Sequence, residues 1–148
     1  MSLRVLVLQG PNLNLLGTRE LHVYGRLSLE EIHGRLREWA APRGVELRFV
    51  QSNHEGALLD ALHEARGWAN GVVLNAGAYT HTSIALRDAI AGVGLPVVEV
   101  HLSNTAAREP FRHQSLLAPV CRGAVVGLGW RGYVLALGWL LGEAQGEG

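Results

Sequence analysis

An α/β fold with a five-stranded parallel sheet is what this 148-residue sequence predicts. Three observations predict it: short β-rich runs edged by Gly, Pro or Asn, helical apolar stripes between them, and strict alternation of the two. Alternation of this kind makes parallel strands joined by crossover helices, which cover both faces of the sheet. The strand runs are LRVLVLQ (3–9), VELRFVQ (45–51), GVVLNA (71–76), PVVEVHL (96–102) and GAVVGLG (123–129).

The helices follow in order. Ser28 and Glu31 form a capping box that opens LEEIHGRLREWA, with Leu29, Ile32, Leu36 and Trp39 on one stripe. Ser52 and Glu55 repeat that spacing before GALLDALHEA, and Thr82 or Ser83 caps IALRDAIA. Pro110 suits the first turn of a shorter helix over 110–118. After Gly129, WRGYVLALGWLL (130–141) is too short to span a bilayer and contains Arg131, so it reads as a buried helix. The Gly/Glu-rich tail at 142–148 reads as frayed. For five such strands the order 2-1-3-4-5 is the common solution, a flavodoxin-like three-layer sandwich, and residues 1–148 are expected to form a single domain.

Composition excludes several classes of function. Thirteen basic residues balance thirteen acidic ones, so no net field recruits nucleic acid or a membrane surface. Every basic residue is arginine, which rules out imine chemistry through a lysine side chain. Cys121 stands alone and can form no internal disulfide, and the N-terminus runs into an apolar strand without a signal peptide's basic head, so a cytoplasmic location is expected. Two aspartates, one cysteine and no HExxH offer no metal-ligand spacing, and GPNLNLLG lacks the glycine-lysine pair of a P-loop. Asn75 ends the third strand where a receiver domain carries a phosphoacceptor Asp.

In sheets of this class ligands bind beyond the carboxyl ends of the strands. Asn12, Ser52-Asn53-His54, Asn75 through His81, and His101 through Asn104 collect there. Within LPVVEVHLSN (95–104), Glu99 and His101 are two residues apart, so they share a strand face and can touch. A buried carboxylate needs a partner, and an imidazolium that it holds is a stored proton.

The 18 residues at 10–27 far exceed the roughly 2–6 that βα connections use. Gly10, Gly17 and Gly25 can act as hinges, and the segment reads either as a lid over about 17–27 carrying Arg19 and Tyr24 or as a surface loop with an incidental Tyr. Holding an ordinary phenol (pKa about 10) ionised at pH 7 costs about 4 kcal/mol. A guanidinium about 4 Å away at an effective dielectric of about 20 offers about 4 kcal/mol. Arg19 beside Tyr24 therefore makes a usable base under a closed lid.

Other groups carry two readings each. NAGAYTHTS (75–83) is a ligand loop offering Asn75, His81 and Ser83, or simply a capped helix start, while Ser52-Asn53-His54 is explained by capping. Asp88 lies two helical turns beyond His81, too far to hold the same atom; it faces a neighbouring subunit or, more plainly, pairs with surface arginines. Arg112 donates a fork of hydrogen bonds to a ligand or is a solvated surface residue.

The ordered motifs QGPNLNLLGTRE, VYG, QSNHEG, NAGAYTHTS, RDA, VEVHLSN and ARExFR resemble those of type II 3-dehydroquinate dehydratases along nearly the whole chain. The resemblance implies a flavodoxin-like subunit, assembled as a dodecamer of trimers, that reversibly dehydrates 3-dehydroquinate to 3-dehydroshikimate through an enolate without metal or cofactor. The missing lysine agrees, since the unrelated type I enzymes work through a lysine imine. Carried onto this chain, the family's base is Tyr24, supported by Arg19, and Asn12 resembles the residue that stabilises the enolate through an ordered water. His101 matches the acid that protonates the departing hydroxyl, with Glu99 keeping it charged and oriented. Asn75 and Ser103, with the backbone N–H groups of Leu102 and Ser103, resemble the carboxylate-binding positions, and His81 and Arg112 those gripping ring hydroxyls. Asp88 matches a residue supplied across a subunit boundary. The chain departs from the pattern at Leu21, where Pro is usual, and at Ala106, where His is common. The alternative from another class is a non-catalytic flavodoxin-like module binding a nucleotide, flavin or small acid.

Overall fold

The computed structural model describes residues 2–147. Its centre is β1 (Leu3–Gln9), buried along almost its whole length and flanked by β2 (Val45–Gln51) and β3 (Gly71–Asn75). Beyond β3 lie β4 (Val97–His101) and β5 (Gly123–Val126), giving the order β2-β1-β3-β4-β5 with every pair parallel. The register sets Gln9 beside Asn75 and His101 beside Val126, so the carboxyl ends of the strands form one rim.

Period-two alternation sorts the apolar side chains into two cores. After the single turn α1 (Leu21–Tyr24) comes α2 (Leu29–Ala40), whose Ile32 and Leu36 pack with Val5, Val7, Val98, Val100 and Leu137. Leu6, Leu8, Val72 and Leu74 pack on the opposite face with Leu58 and Leu62 of α3 (Glu55–Ala65) and Leu86 and Ile90 of α4 (Ile84–Val93). By the same alternation Glu99 and His101 take the α4 face, and Gln9 and Asn75 take the α2 face.

The capping box at Ser28 and Glu31 is present in both directions, and Ser83 rather than Thr82 caps α4, accepting from Leu86 N at 2.9 Å. The second expected box is not. His54 is the N-cap of α3, Ser52 Oγ accepts from His54 N at 3.0 Å, and the Glu55 carboxylate accepts a hydrogen bond from Ser83 Oγ instead. Residues 110–118 also differ from the expected helix: they hold a 3-10 turn at Pro110–Arg112, with a second at Ala118–Val120. Ser115 Oγ captures the N–H groups of Leu117 and Ala118, and Pro119 has none to give, so the helical ladder cannot propagate.

The last helix, α5, runs Arg131–Ala144, so residues 142–144 of the expected frayed tail are helical; Gly148 lies outside the described residues. Only one face of α5 is buried, through Gly132, Tyr133, Ala136, Leu137 and Leu140, while Leu135 and Trp139 are exposed. No helix among the described residues is long and apolar enough to cross a membrane.

Candidate active site

The rim of the sheet is closed over by the segment between β1 and α2. This segment is structured rather than open coil: a 3-10 turn at Leu13–Leu15 is followed by a single helical turn at Leu21–Tyr24, which Leu21 opens. Gly10 lets it cross the β3 loop closely, since a Cβ there would stand 2.5 Å from the Ala76 carbonyl oxygen. Asn12 adopts a left-handed conformation (φ 67°), tolerable for Asn, and its N–H donates to Asn53 Oδ1 at 2.9 Å. Asn53 therefore holds the first turn of the loop and does not cap a helix.

One cleft forms between this segment and the strand ends. Asn12, Arg19, Tyr24, Asn75 and His81 line it, as do His101, Leu102, Ser103 and Arg112. Arg19 Nη2 donates to Tyr24 Oη at 3.3 Å, and its guanidinium lies 4.8 Å from the ring centroid. Arg108 approaches the same ring at 5.1 Å and donates to Ser103 Oγ at 3.2 Å. Arg19 thus stands where the negative charge of a phenolate would form, with the Arg108 charge over the same ring. Glu20 pairs with Arg19 at 3.3 Å and reaches Arg108 at 4.0 Å, tying this segment to the opposite wall.

Across the cleft His101 Nε2 is hydrogen-bonded to Glu99 Oε2, and the pair is buried at 7% and 2% exposure. That contact leaves Nδ1 as the ring nitrogen able to carry a proton to a ligand. Glu99 Oε1 accepts from Ser115 Oγ at 3.1 Å. His81 Nδ1 pairs with the Gln114 carbonyl at 2.8 Å, and the two imidazole rings lie 6.4 Å apart. Arg112 lines the cleft while paired with Glu109 at 3.2 Å. Asp88 does not line this cleft: it is exposed on α4, in a groove with His63 and Arg66 of the α3 side, and of its two readings the pairing with arginines is not formed among the described residues.

Beneath Asn75 runs a buried neutral chain. Asn75 Nδ2 donates to Tyr133 Oη at 2.9 Å, Tyr133 donates to Gln9 Oε1 at 2.7 Å, and Gln9 Nε2 meets His33 Nε2 at 3.3 Å. Burial pushes the Tyr133 phenol up to about 12, against the weaker opposite pull of its Asn75 and Gln9 hydrogen bonds. Burial, with a smaller contribution from the Arg37 charge, takes His33 down to about 4. Sequence reasoning missed Arg108, Ser115 and Tyr133. Arg108 had a signal, since it is the first arginine of the ARExFR run that ends in Arg112; a tyrosine on the buried face of an apolar helix, whose hydroxyl must find a partner, was another. Among the described residues no three His, Cys, Asp or Glu side chains gather as a metal would require.

A doubly wound sheet whose carboxyl rim sets a phenol between guanidiniums, opposite a carboxylate-held imidazole, defines an acid–base enzyme of the flavodoxin-like class. Comparison with known proteins narrows the class. The sequence model of the family described as "Dehydroquinase class II" matches residues 3–141. The chain is 57% identical over 148 residues to a 3-dehydroquinate dehydratase of Roseiflexus castenholzii, covering 99% of this chain and 94% of that protein. It is 58% identical over 144 residues to the one from Ruegeria pomeroyi, covering 97% of each. The crystal structure of a type II dehydroquinase from Butyrivibrio crossotus superposes with a TM-score of 0.93 at 45% identity, over 94% of this chain and 97% of that one. The chain belongs to the class II dehydroquinase family.

Proposed function

We infer that this chain is a hydro-lyase of the shikimate pathway that removes water from 3-dehydroquinate to give 3-dehydroshikimate, with residues 1–148 working as one catalytic domain and 17–27 as its lid. One observation carries the mechanism: Tyr24 with its arginines and His101 with its glutamate face a single cleft. Tyr24, as phenolate, takes the proton from the carbon beside the substrate ketone; the C–H electron pair becomes the carbon–carbon double bond of an enolate, and the carbonyl π pair moves onto the oxygen. Asn12 stabilises that charge, through a water, where it develops. The oxygen pair then returns to the carbonyl, the carbon–carbon double bond shifts to the β carbon, and the β carbon–oxygen bond breaks. The departing oxygen takes the proton from His101 Nδ1 and leaves as water, and Tyr24 passes its gained proton to solvent while His101 is reprotonated. Asn75, Ser103 and the backbone of Leu102 hold the substrate carboxylate, and His81 and Arg112 the ring hydroxyls; their shared position along one cleft supports that assignment. The residues present do this chemistry without metal or cofactor.

Asp88 lies outside its own cleft, which supports a role across a subunit boundary in a dodecamer built of trimers. The same reading puts the chain in the cytoplasm, where one unpaired cysteine is ordinary. The test is direct: 3-dehydroquinate added to the folded protein is expected to raise the ultraviolet absorbance of the conjugated enone product. No change in absorbance rejects the lyase reading, and sedimentation as a monomer at micromolar concentration rejects the assembly.

A further inference from the structure

We propose that Ser115 is a positioning residue for the elimination step, donating its hydroxyl hydrogen to Glu99 so that the carboxylate presents its other oxygen to His101. The proposal rests on the reading of His101 as the acid that protonates the departing hydroxyl.

A serine hydroxyl has one hydrogen and two lone pairs. Both lone pairs of Ser115 Oγ are taken, by Leu117 N at 3.1 Å and Ala118 N at 3.0 Å. The hydrogen therefore has one direction left, towards Glu99 Oε1 at 3.1 Å. Glu99 is 2% exposed, so water does not readily replace that donor. Cys121 is no substitute, because burial and then the nearby Glu99 charge push its thiol up to about 12, leaving a neutral and weak donor. With one oxygen on Ser115 and the other on His101, the carboxylate is held at both ends and cannot turn about its last bond.

The segment carrying Ser115 is itself fixed on both sides. Leu116 N donates to the Thr80 carbonyl at 2.9 Å, Arg87 Nη1 donates to the Leu116 carbonyl at 3.2 Å, and Leu117 is fully buried. The neighbouring Gln114 carbonyl orients His81. One irregular strap thus sets both cleft imidazoles, and the same hydroxyl that stops it from becoming a helix aligns the carboxylate.

The two halves of the reaction separate this role from a merely structural one. Abstraction of the α-proton by Tyr24 is read as exchange of that hydrogen in deuterated water, and elimination as enone absorbance. Ser115→Ala is expected to lower kcat for dehydration about 10- to 100-fold, part of what a general acid supplies, while exchange and KM stay within about twofold; Ser115→Thr, which keeps the hydroxyl, restores dehydration. Unchanged dehydration in Ser115→Ala overturns the proposal. So does a fall in exchange and dehydration by the same factor, the sign of a loosened fold. His101→Ala, measured alongside, keeps the two ideas apart. Wild-type dehydration in His101→Ala ends the underlying reading and the proposal with it, whereas loss in His101→Ala with none in Ser115→Ala ends the proposal alone.

Discussion

Two tyrosines reach the rim of this sheet and meet opposite surroundings. Tyr24, on the segment between β1 and α2, is half-buried beside the guanidiniums of Arg19 and Arg108 and lines the cleft. Tyr133, on α5, is fully buried, has the amides of Asn75 and Gln9 as its hydrogen-bond partners, and passes a hydrogen bond along the neutral line that ends at His33. The phenol is the same in both places. In the first, charge on the ring oxygen has partners; in the second, burial holds the hydroxyl neutral and leaves only its geometry to use. A reactive group is thus defined by what surrounds it, and a buried one without a counter-charge becomes a strut.

The sharpest way to break that contrast is to make the same substitution twice. Tyr24→Phe removes the hydroxyl proposed as the base and is expected to lower kcat by at least about 10²- to 10⁴-fold, with urea unfolding almost unchanged because the lost hydroxyl sits at the cleft. Near-normal turnover would remove Tyr24 from that role. Tyr133→Phe is expected to do the reverse. It strands Asn75 Nδ2 and Gln9 Oε1 in the interior, a loss of about 1–3 kcal/mol in urea unfolding, with kcat kept and KM raised severalfold as Asn75 loses its alignment. A large fall in kcat without loss of stability would show that the two phenols do not divide their work this way.

The sequence made one of these settings far easier to see than the other. Arg19 and Tyr24 are five residues apart and Glu99 and His101 two, so loop proximity and strand periodicity bring each pair together before any tertiary structure is known. The strands were legible for a similar reason, since buried parallel strands must be continuous apolar runs. Ser115 meets Glu99 across 16 residues, Asn75 meets Tyr133 across 58, and Tyr133 meets Gln9 across 124. No local pattern encodes those contacts; they exist because helices lie across the sheet. Local spacing also misled where tertiary partners competed. Ser28 and Glu31 form their box on an exposed surface, but Ser52 and Glu55, at the same spacing, do not, because Ser83 supplies the Glu55 carboxylate with a partner from α4. The strap at 113–118 escaped for the same reason, its serine being used for turns and for Glu99.

The smallest predicted effect probes the far end of the neutral line. His33 is buried and stacked on Phe49 with ring centroids 4.1 Å apart, and its Nε2 serves Gln9 only as a lone pair. Burial lowers the folded ring to about 4 from the ordinary 6.5 of a histidine, so between those values the unfolded chain binds more protons than the folded one. Stability attributable to this ring is therefore complete above about pH 6.5 and declines as the pH falls towards 4. The interval bounds the loss at about 3 kcal/mol, and partial solvent screening of the ring reduces it to about 1–2 kcal/mol. Urea unfolding of the wild type and of His33→Met at pH 7 and pH 4.5 measures it, because carboxylates that titrate over the same range contribute equally to both chains and cancel in the difference. The wild type is expected to lose the extra 1–2 kcal/mol on acidification. Equal losses in the two chains would mean that His33 accepts a proton in place without breaking its bond to Gln9, and that the line beneath Asn75 tolerates charge as the cleft does.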